Sequence, residues 1–190
     1  MATGRSNKLV GQVGEFLVCA ELGRRGLIAS PFAGNVPGYD VIATDERCVS
    51  VPIQVKANNG TNTWQLNAAK HLDIQFDPKT QTQSVRRPRG PADAGLVWVF
   101  VWLGDGQKSR DRFFVVTHGD VQDLLYRGYS SYLRRHGGRR PRKPESTHMA
   151  IDVHQLEPFE DAWDVVENEL RKRGQSAGRT RRQRRKLGGR

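Results

Sequence analysis

Three side chains in this chain stand at spacings that suggest chemistry: a carboxylate at Asp40, an amide at Gln54 and an amine at Lys56. Asp40 opens a short apolar run, Val41 to Ala43, and Gln54 and Lys56 close a second run, Val49 to Val55. Hydrolysis of a phosphodiester needs a hard cation to neutralise developing charge. It also needs a water held for in-line attack and a positive group near the non-bridging oxygen. Asp40 offers a carboxylate oxygen, Gln54 an amide carbonyl and Val55 a main-chain carbonyl, a ligand set that suits Mg²⁺ or Mn²⁺ with several retained waters. Lys56 is suited to orient or activate the water and to stabilise the pentacovalent state. Glu15, further upstream, is suited to hold the ion through water.

The elements that must position these groups can be read from spacing. Thr44, Asp45, Glu46 and Arg47 form a polar turn between the two apolar runs, which predicts a β-hairpin. In the second run Val49, Val51, Ile53 and Val55 alternate with Ser50, Pro52, Gln54 and Lys56, so Gln54 and Lys56 share a face. A turn centred near Arg47 sets position 40 opposite position 54. Residues 8 to 26 read as a helix with Leu9, Val13, Phe16, Leu17 and Ala20 at helical spacing and Gly26 as its stop. Glu21 and Arg25 mark its solvent side. Glu15 projects elsewhere, with the small residues Gly11 and Cys19 one turn before and after it, and is expected either to turn towards the hairpin or to remain an ordinary surface glutamate.

The remaining chain is expected to supply a frame. Leu27 and Ile28 begin an edge strand, and Pro31 to Gly38 form a loop. The stretch from Trp64 to Phe76 reads as either helix or strand. Asp77 to Ala94, with Arg86, Arg87 and Arg89 beside prolines, reads as an exposed flexible loop. Leu96 to Leu103 is apolar throughout and predicts a central strand buried on both faces, with Phe113 to Val116 as its antiparallel neighbour. A helix over Asp120 to Leu133, a Gly- and Arg-rich loop over His136 to Lys143, a short strand over Ala150 to Val153 and a final helix from about Phe159 to Arg173 complete it. Trp163, Val166 and Leu170 give that last helix an apolar stripe.

A chain of 190 residues is expected to form one domain, here residues 1–173, followed by a disordered arginine-rich tail over 174–190. The net charge of +11 is concentrated in the last twenty residues. Ten of the 31 Lys and Arg fall between Arg171 and Arg190 with no acid among them, leaving 21 bases against all 20 acids in the first 170 residues. Candidate nucleic-acid contacts are Arg86, Arg87 and Arg89, Arg139 and Arg140, and Arg181, Arg182, Arg184 and Arg185, although any basic cluster is also the ordinary make-up of a solvated face. The two cysteines, Cys19 and Cys48, lack paired spacing and argue against a disulfide framework or a zinc site. A polar N-terminus and the lack of any apolar run near the ~20 residues of a bilayer span lead us to expect a cytoplasmic protein. His71, His118, His136, His148 and His154 lack metal-ligand spacing, with His118 read as a helix cap. Of the four tryptophans only Trp64, beside the polar loop after Lys56, is placed to approach a substrate.

Gly-x-x-Gly-Glu on a helix, Gly38-Tyr39-Asp40 opening one strand and Gln54-Val55-Lys56 closing the next together resemble the PD-(D/E)xK nuclease superfamily, over roughly residues 8 to 117. The resemblance implies a restriction-endonuclease-like α/β fold, a mixed β-sheet flanked by helices, with a divalent-metal site that hydrolyses nucleic acid. It sets the motif acid on Asp40, the second acidic position on Gln54, the lysine on Lys56 and the first-helix acid on Glu15. Tyr39 stands where that pattern has proline, at a position that is not a ligand. Gln54 is the weightier departure, because an amide is a neutral and weaker ligand than a carboxylate.

Taken singly, Asp40 is also the kind of acid that caps a turn, and Lys56 the kind of charge that ends a strand in water. Their joint placement leads to the expectation of a Mg²⁺-dependent endonuclease acting on DNA, as a homodimer if both strands are cut. The alternatives are a nucleic-acid-binding protein that keeps the fold without the chemistry, and an interaction module whose basic tail binds RNA or an acidic partner.

Overall fold

The computed structural model describes residues 4–32, 38–88, 95–104 and 109–187. The side chains of 4–6, 87–88 and 177–187 lie outside the described residues. A five-stranded mixed sheet in the order β1-β2-β3-β7-β8 is built from β1 (Ile28–Pro31), β2 (Val41–Thr44), β3 (Ser50–Asn59), β7 (Val97–Leu103) and β8 (Arg112–Thr117). β7 pairs parallel to β3 and antiparallel to β8, and its buried residues alternate between two cores.

Val97, Val99 and Val101 join Val41, Val51, Ile53 and Val55 beneath two helices, α1 (Gly4–Arg24) and α4 (Asp164–Leu187). On the other face Trp98 and Phe100 join Phe114 and Val116 beneath α2 (His118–Arg135) and a small sheet of β4 (Thr63–Asn67) with β9 (His148–Asp152). A second small sheet, β5 (Leu72–Asp77) with β6 (Thr82–Pro88), extends from this face, and a short helix, α3 (Val153–Leu156), leads into α4.

Pro52, the third residue of β3, is unexpected within a strand, since proline cannot donate to a ladder. Pairing with β7 starts only at Ile53↔Val97, so at Pro52 one side of β3 has no neighbouring strand among the described residues and the missing N–H costs no ladder bond there.

The structure corrects several sequence expectations. The stripe Leu9, Val13 and Phe16 does not face the core: these residues are 57%, 45% and 62% exposed, and α1 instead buries Gly14, Val18 and Leu22. Glycine made the true face look polar. The expected loop at Asp77 to Ala94 contains β6, whose Gln83 and Val85 turn inward towards α2 while Ser84 and Arg86 turn out; the rest of that stretch, 89–94, lies outside the described residues. His118 is not the cap of α2. Thr117 is, through a reciprocal pair of hydrogen bonds with Asp120. Trp64 is 3% exposed, between Phe100 and Phe114, and cannot meet a substrate.

The final helix starts later than expected, with Trp163 buried just ahead of it, and α4 carries the backbone past Gly174 to Leu187. The expected tail 174–190 therefore begins inside this helix, and residues 188–190 lie outside the described residues.

Candidate active site at the start of the central hairpin

The β2–β3 hairpin is fixed first by its turn. The Asp45 carboxylate accepts from the main-chain N–H of Arg47 and of Val49, each at 2.9 Å, and from the Arg47 guanidinium at 2.8 Å. An aspartate that collects local N–H groups in this way specifies the turn itself. Those N–H groups, Val49 foremost, hold its pKa below the usual carboxylate range. The resulting register pairs Val41 with Ile53 and Thr44 with Ser50, so position 40 stands across from position 54.

Asp40 and Gln54 touch. The Gln54 amide Nε2 donates to Asp40 Oδ2, and the Val55 main-chain N–H donates to the same oxygen at 2.8 Å. The Asp40 N–H is satisfied by Ile53 O at 2.9 Å, and its own carbonyl accepts from Phe32 N at 3.0 Å. Oδ2 is thus committed to the hairpin, whereas Oδ1 accepts no hydrogen bond among the described residues. Tyr39 packs edge-on against Phe32 with ring centroids 5.2 Å apart, immediately before Asp40.

Gln54 and Lys56 pair in register with Trp98 and Phe100 and share their face of the sheet, while Val55 points into the opposite core. Asn58 continues the same row; its Nδ2 donates to Thr63 O at 3.3 Å, and its buried Oδ1 has no hydrogen-bond partner among the described residues. Sequence reasoning passed over Asn58, although the period-two repeat Gln54, Lys56, Asn58 was its signal.

Glu15 arrives from α1. A Cβ built on the neighbouring Gly14 would lie 2.5 Å from Ala57 Cβ, so the helix rests with its backbone almost against β3. Burial raises the Glu15 pKa above its ordinary 4.5; the negative charge of Asp40 raises it further, and the Lys56 ammonium lowers it in part. Glu15 is therefore within the field of both hairpin groups, and with Asp40 it forms a pair of carboxylates that repel one another. Burial, aided by the Glu15 charge, also pushes the Cys19 thiol up.

A buried polar chain stands beside the Gln54 and Lys56 row. The Trp98 indole can only donate, and its N–H lies 3.4 Å from His118 Nδ1; His118 Nε2 in turn lies 3.5 Å from His71 Nδ1. The donors therefore run from Trp98 to His118 to His71, which keeps both imidazoles neutral. Burial, then the repulsion that His118 exerts once protonated and the charges of Lys70 and Lys56, lower the His71 pKa to about 4. Burial lowers His118 too. These two histidines, 47 positions apart, had no sequence spacing to reveal them.

Of the basic candidates, Arg86 is exposed on β6, and Arg139 and Arg140 lie in the loop after α2. None of these meets Asp40, Gln54 or Lys56 in a hydrogen bond. The side chains of Arg87, Arg89, Arg181, Arg182, Arg184 and Arg185 lie outside the described residues.

The donor set fits a small hard cation. No cluster of three or more His, Cys, Asp and Glu capable of holding a metal occurs among the described residues, which excludes from them a dense carboxylate or imidazole cage. Two mutually repelling carboxylates beside an amide offer few charged ligands, the pattern that suits Mg²⁺ retaining several waters.

No protein-family model matches the chain, and no curated protein matches it in sequence. Among solved structures it is similar to a bacterial homing endonuclease at 14% identity, covering 88% of this chain and 95% of that one, with a TM-score of 0.44. No helix among the described residues is long and apolar enough to cross a membrane.

Proposed function

We propose that this protein is a metal-dependent nuclease of the PD-(D/E)xK type that hydrolyses phosphodiester bonds in DNA. The observation that carries this reading is the contact between Asp40 and Gln54 at the start of the hairpin, with Lys56 two residues on and Glu15 within electrostatic reach. Asp40, through Oδ1, Gln54, through its amide carbonyl, and the main-chain carbonyl of Val55 would hold Mg²⁺ or Mn²⁺, with Glu15 acting through water. When bound, the ion would supply charge neutralisation at the phosphate and a water of lowered pKa.

The chain's own residues do the rest. Asp40 is locked by the Val55 N–H, so its free oxygen is presented in one direction. Lys56 lies on the face shared with Gln54, where an ammonium can orient the attacking water and balance charge on the non-bridging oxygen. Glu15 carries a raised pKa, so it can take up a proton from a water in its reach more readily than an ordinary glutamate. The neutral Gln54 leaves one fewer negative charge to attract the ion, so the affinity of the free protein for Mg²⁺ should be low and substrate phosphate should complete the site.

The test uses purified protein with linear, nicked, branched and single-stranded DNA, with Mg²⁺ or Mn²⁺, beside Asp40→Ala and Lys56→Ala. Cleavage by the wild type and a loss of about 10²–10³-fold in the Lys56 variant is the expected result. Binding without cleavage on every substrate and with either ion would replace this reading by that of a DNA-binding protein.

A further inference from the structure

The loop between α2 and β9 is built like a socket. It leaves α2 through Gly137 and Gly138, both at positive φ of 59° and 78°, with Gly138 N bonded to Leu133 O at 2.8 Å. From beneath, the 5%-exposed Gln83 holds it, its amide donating to Pro144 O and, at 3.1 Å, to Ser146 O. The buried Tyr129 hydroxyl bonds to both Gln83 Oε1 and Ser146 O. Gln83 N also donates to Gly138 O at 2.7 Å, so both ends of the loop are tied to the same strand. A loop of this composition would otherwise be free to move; here its backbone is fixed by buried polar groups.

Arg140 serves that scaffold. Its guanidinium lies over the rings of Tyr129 and Tyr132, 5.3 and 4.9 Å from their centroids, and Nη2 donates to His148 O at 2.8 Å. Its buried Nη1 has no hydrogen-bond partner among the described residues, its neighbours being the ring faces. Arg140 is thus occupied internally. Arg142 and Lys143 are not: both are exposed and neither side chain has a hydrogen bond or ion pair among the described residues. With Tyr132, Arg140, Pro141 and Ser146 they line a cavity of about 400 Å³. Arg140 and His136, the latter 4.4 Å between centroids, both pack against the Tyr132 ring.

We infer that this socket binds a backbone phosphate of a nucleic acid, with Arg142 and Lys143 as its direct contacts and Arg140 as a positioning residue. Arg134 and Arg135 at the end of α2 and Arg139 in the loop are exposed as well, against one acid in the loop, Glu145. A basic stretch of chain that holds a socket suits a repeating anion better than a single carboxylate, because each neutralised phosphate releases counterions. The choice of polymer rests on the nuclease reading; the anion site rests on the loop alone.

The experiment measures binding of a 30-base-pair DNA duplex by the full-length protein in EDTA, across a salt series, so that cleavage plays no part. The Arg142→Ala/Lys143→Ala pair should weaken binding roughly tenfold or more near physiological salt and lower the slope of log K against log salt by about 1 to 2. The control pair Lys8→Ala/Arg24→Ala on α1 removes the same charge and should change binding much less. Tyr129→Phe, which keeps every charge but unpins the loop, should weaken binding by a smaller factor. Equal weakening by the two charge pairs, or an unchanged slope in Arg142→Ala/Lys143→Ala with its thermal unfolding intact, would overturn the inference. Neither result depends on whether the wild type cuts DNA with Mg²⁺.

Discussion

Gly14 and Gly11 lie one turn apart on α1 and should respond to the same substitution with opposite sign. At Gly11 an added Cβ meets nothing within 4 Å, and alanine there should stabilise the helix by about 1 kcal/mol on propensity alone. At Gly14 the same methyl would come 2.5 Å from Ala57 Cβ and 3.5 Å from Val55 Cγ1. The first distance is roughly 1 Å inside van der Waals contact. Overpacking of this kind costs about 1–3 kcal/mol, which meets or exceeds the propensity gain. In a chain of this size 1 kcal/mol moves Tm by about 2–4 °C. Gly11→Ala should therefore raise Tm by that amount, and Gly14→Ala should lie about 2–12 °C below Gly11→Ala. The backbone that must move carries Glu15, so Gly14→Ala should also lower any nuclease activity, while Gly11→Ala leaves it unchanged. Adding Ala57→Gly removes the opposing methyl; in a double-mutant cycle the Gly14→Ala/Ala57→Gly pair should show a favourable coupling above 0.5 kcal/mol. Thermal and urea unfolding read the stabilities. If Gly14→Ala proves as stable as Gly11→Ala, the close seating of α1 on β3 is wrong.

Other consequences follow from the site's charges. Gln54→Glu sets a second carboxylate against Asp40, so the protein should unfold at lower temperature without divalent ions and gain more than the wild type when Mg²⁺ is added; a thermal shift independent of Mg²⁺ in both would contradict the proposed ligands. Glu15 has a raised pKa in the folded state, so the fold binds the extra proton between 4.5 and that higher value and loses stability as pH rises through the window. Glu15→Gln should accordingly stabilise the protein at neutral pH and have little effect below pH 4.5, as measured by urea unfolding at each pH. His71 is shifted the other way, from 6.5 to about 4, so its contribution is complete above pH 6.5 and is lost as pH falls towards 4. One proton sets a slope of at most about 1.4 kcal/mol per pH unit; His71→Phe should flatten the acid side of the profile, and an unchanged slope would show that another group controls it.

The hairpin was legible because its information is local. Alternation from Val49 to Lys56 set the face, and Asp45 set the turn, so the proximity of Asp40 and Gln54 follows from a few adjacent residues. β7 was equally plain, since a strand buried on both faces has no polar side to obscure it. The buried face of α1 was misread because its closest contact is made by Gly14, and an absent side chain leaves no hydrophobic signature. β6 was missed because Thr82 to Arg87 is polar in composition and its inward glutamine, Gln83, is satisfied by the carbonyls of Pro144 and Ser146 more than 60 positions away. The histidine chain was illegible for the same reason: only the fold brings residues 71, 98 and 118 into contact.

The parallel pairing of β3 with β7 also bears on how the protein is made. Ile53 finds Val97 as its neighbour, and the whole excursion through β4, β5 and β6 must leave the ribosome before that neighbour exists. At about 5–20 residues per second the nascent hairpin spends a few seconds with the β7 side of Ile53 to Asn59 unpaired. An unpaired apolar strand edge is a template for aggregation. The row that presents Gln54 and Lys56 is thus also a segment open to mispairing during synthesis, and slow, cool expression should favour folded protein over inclusion bodies.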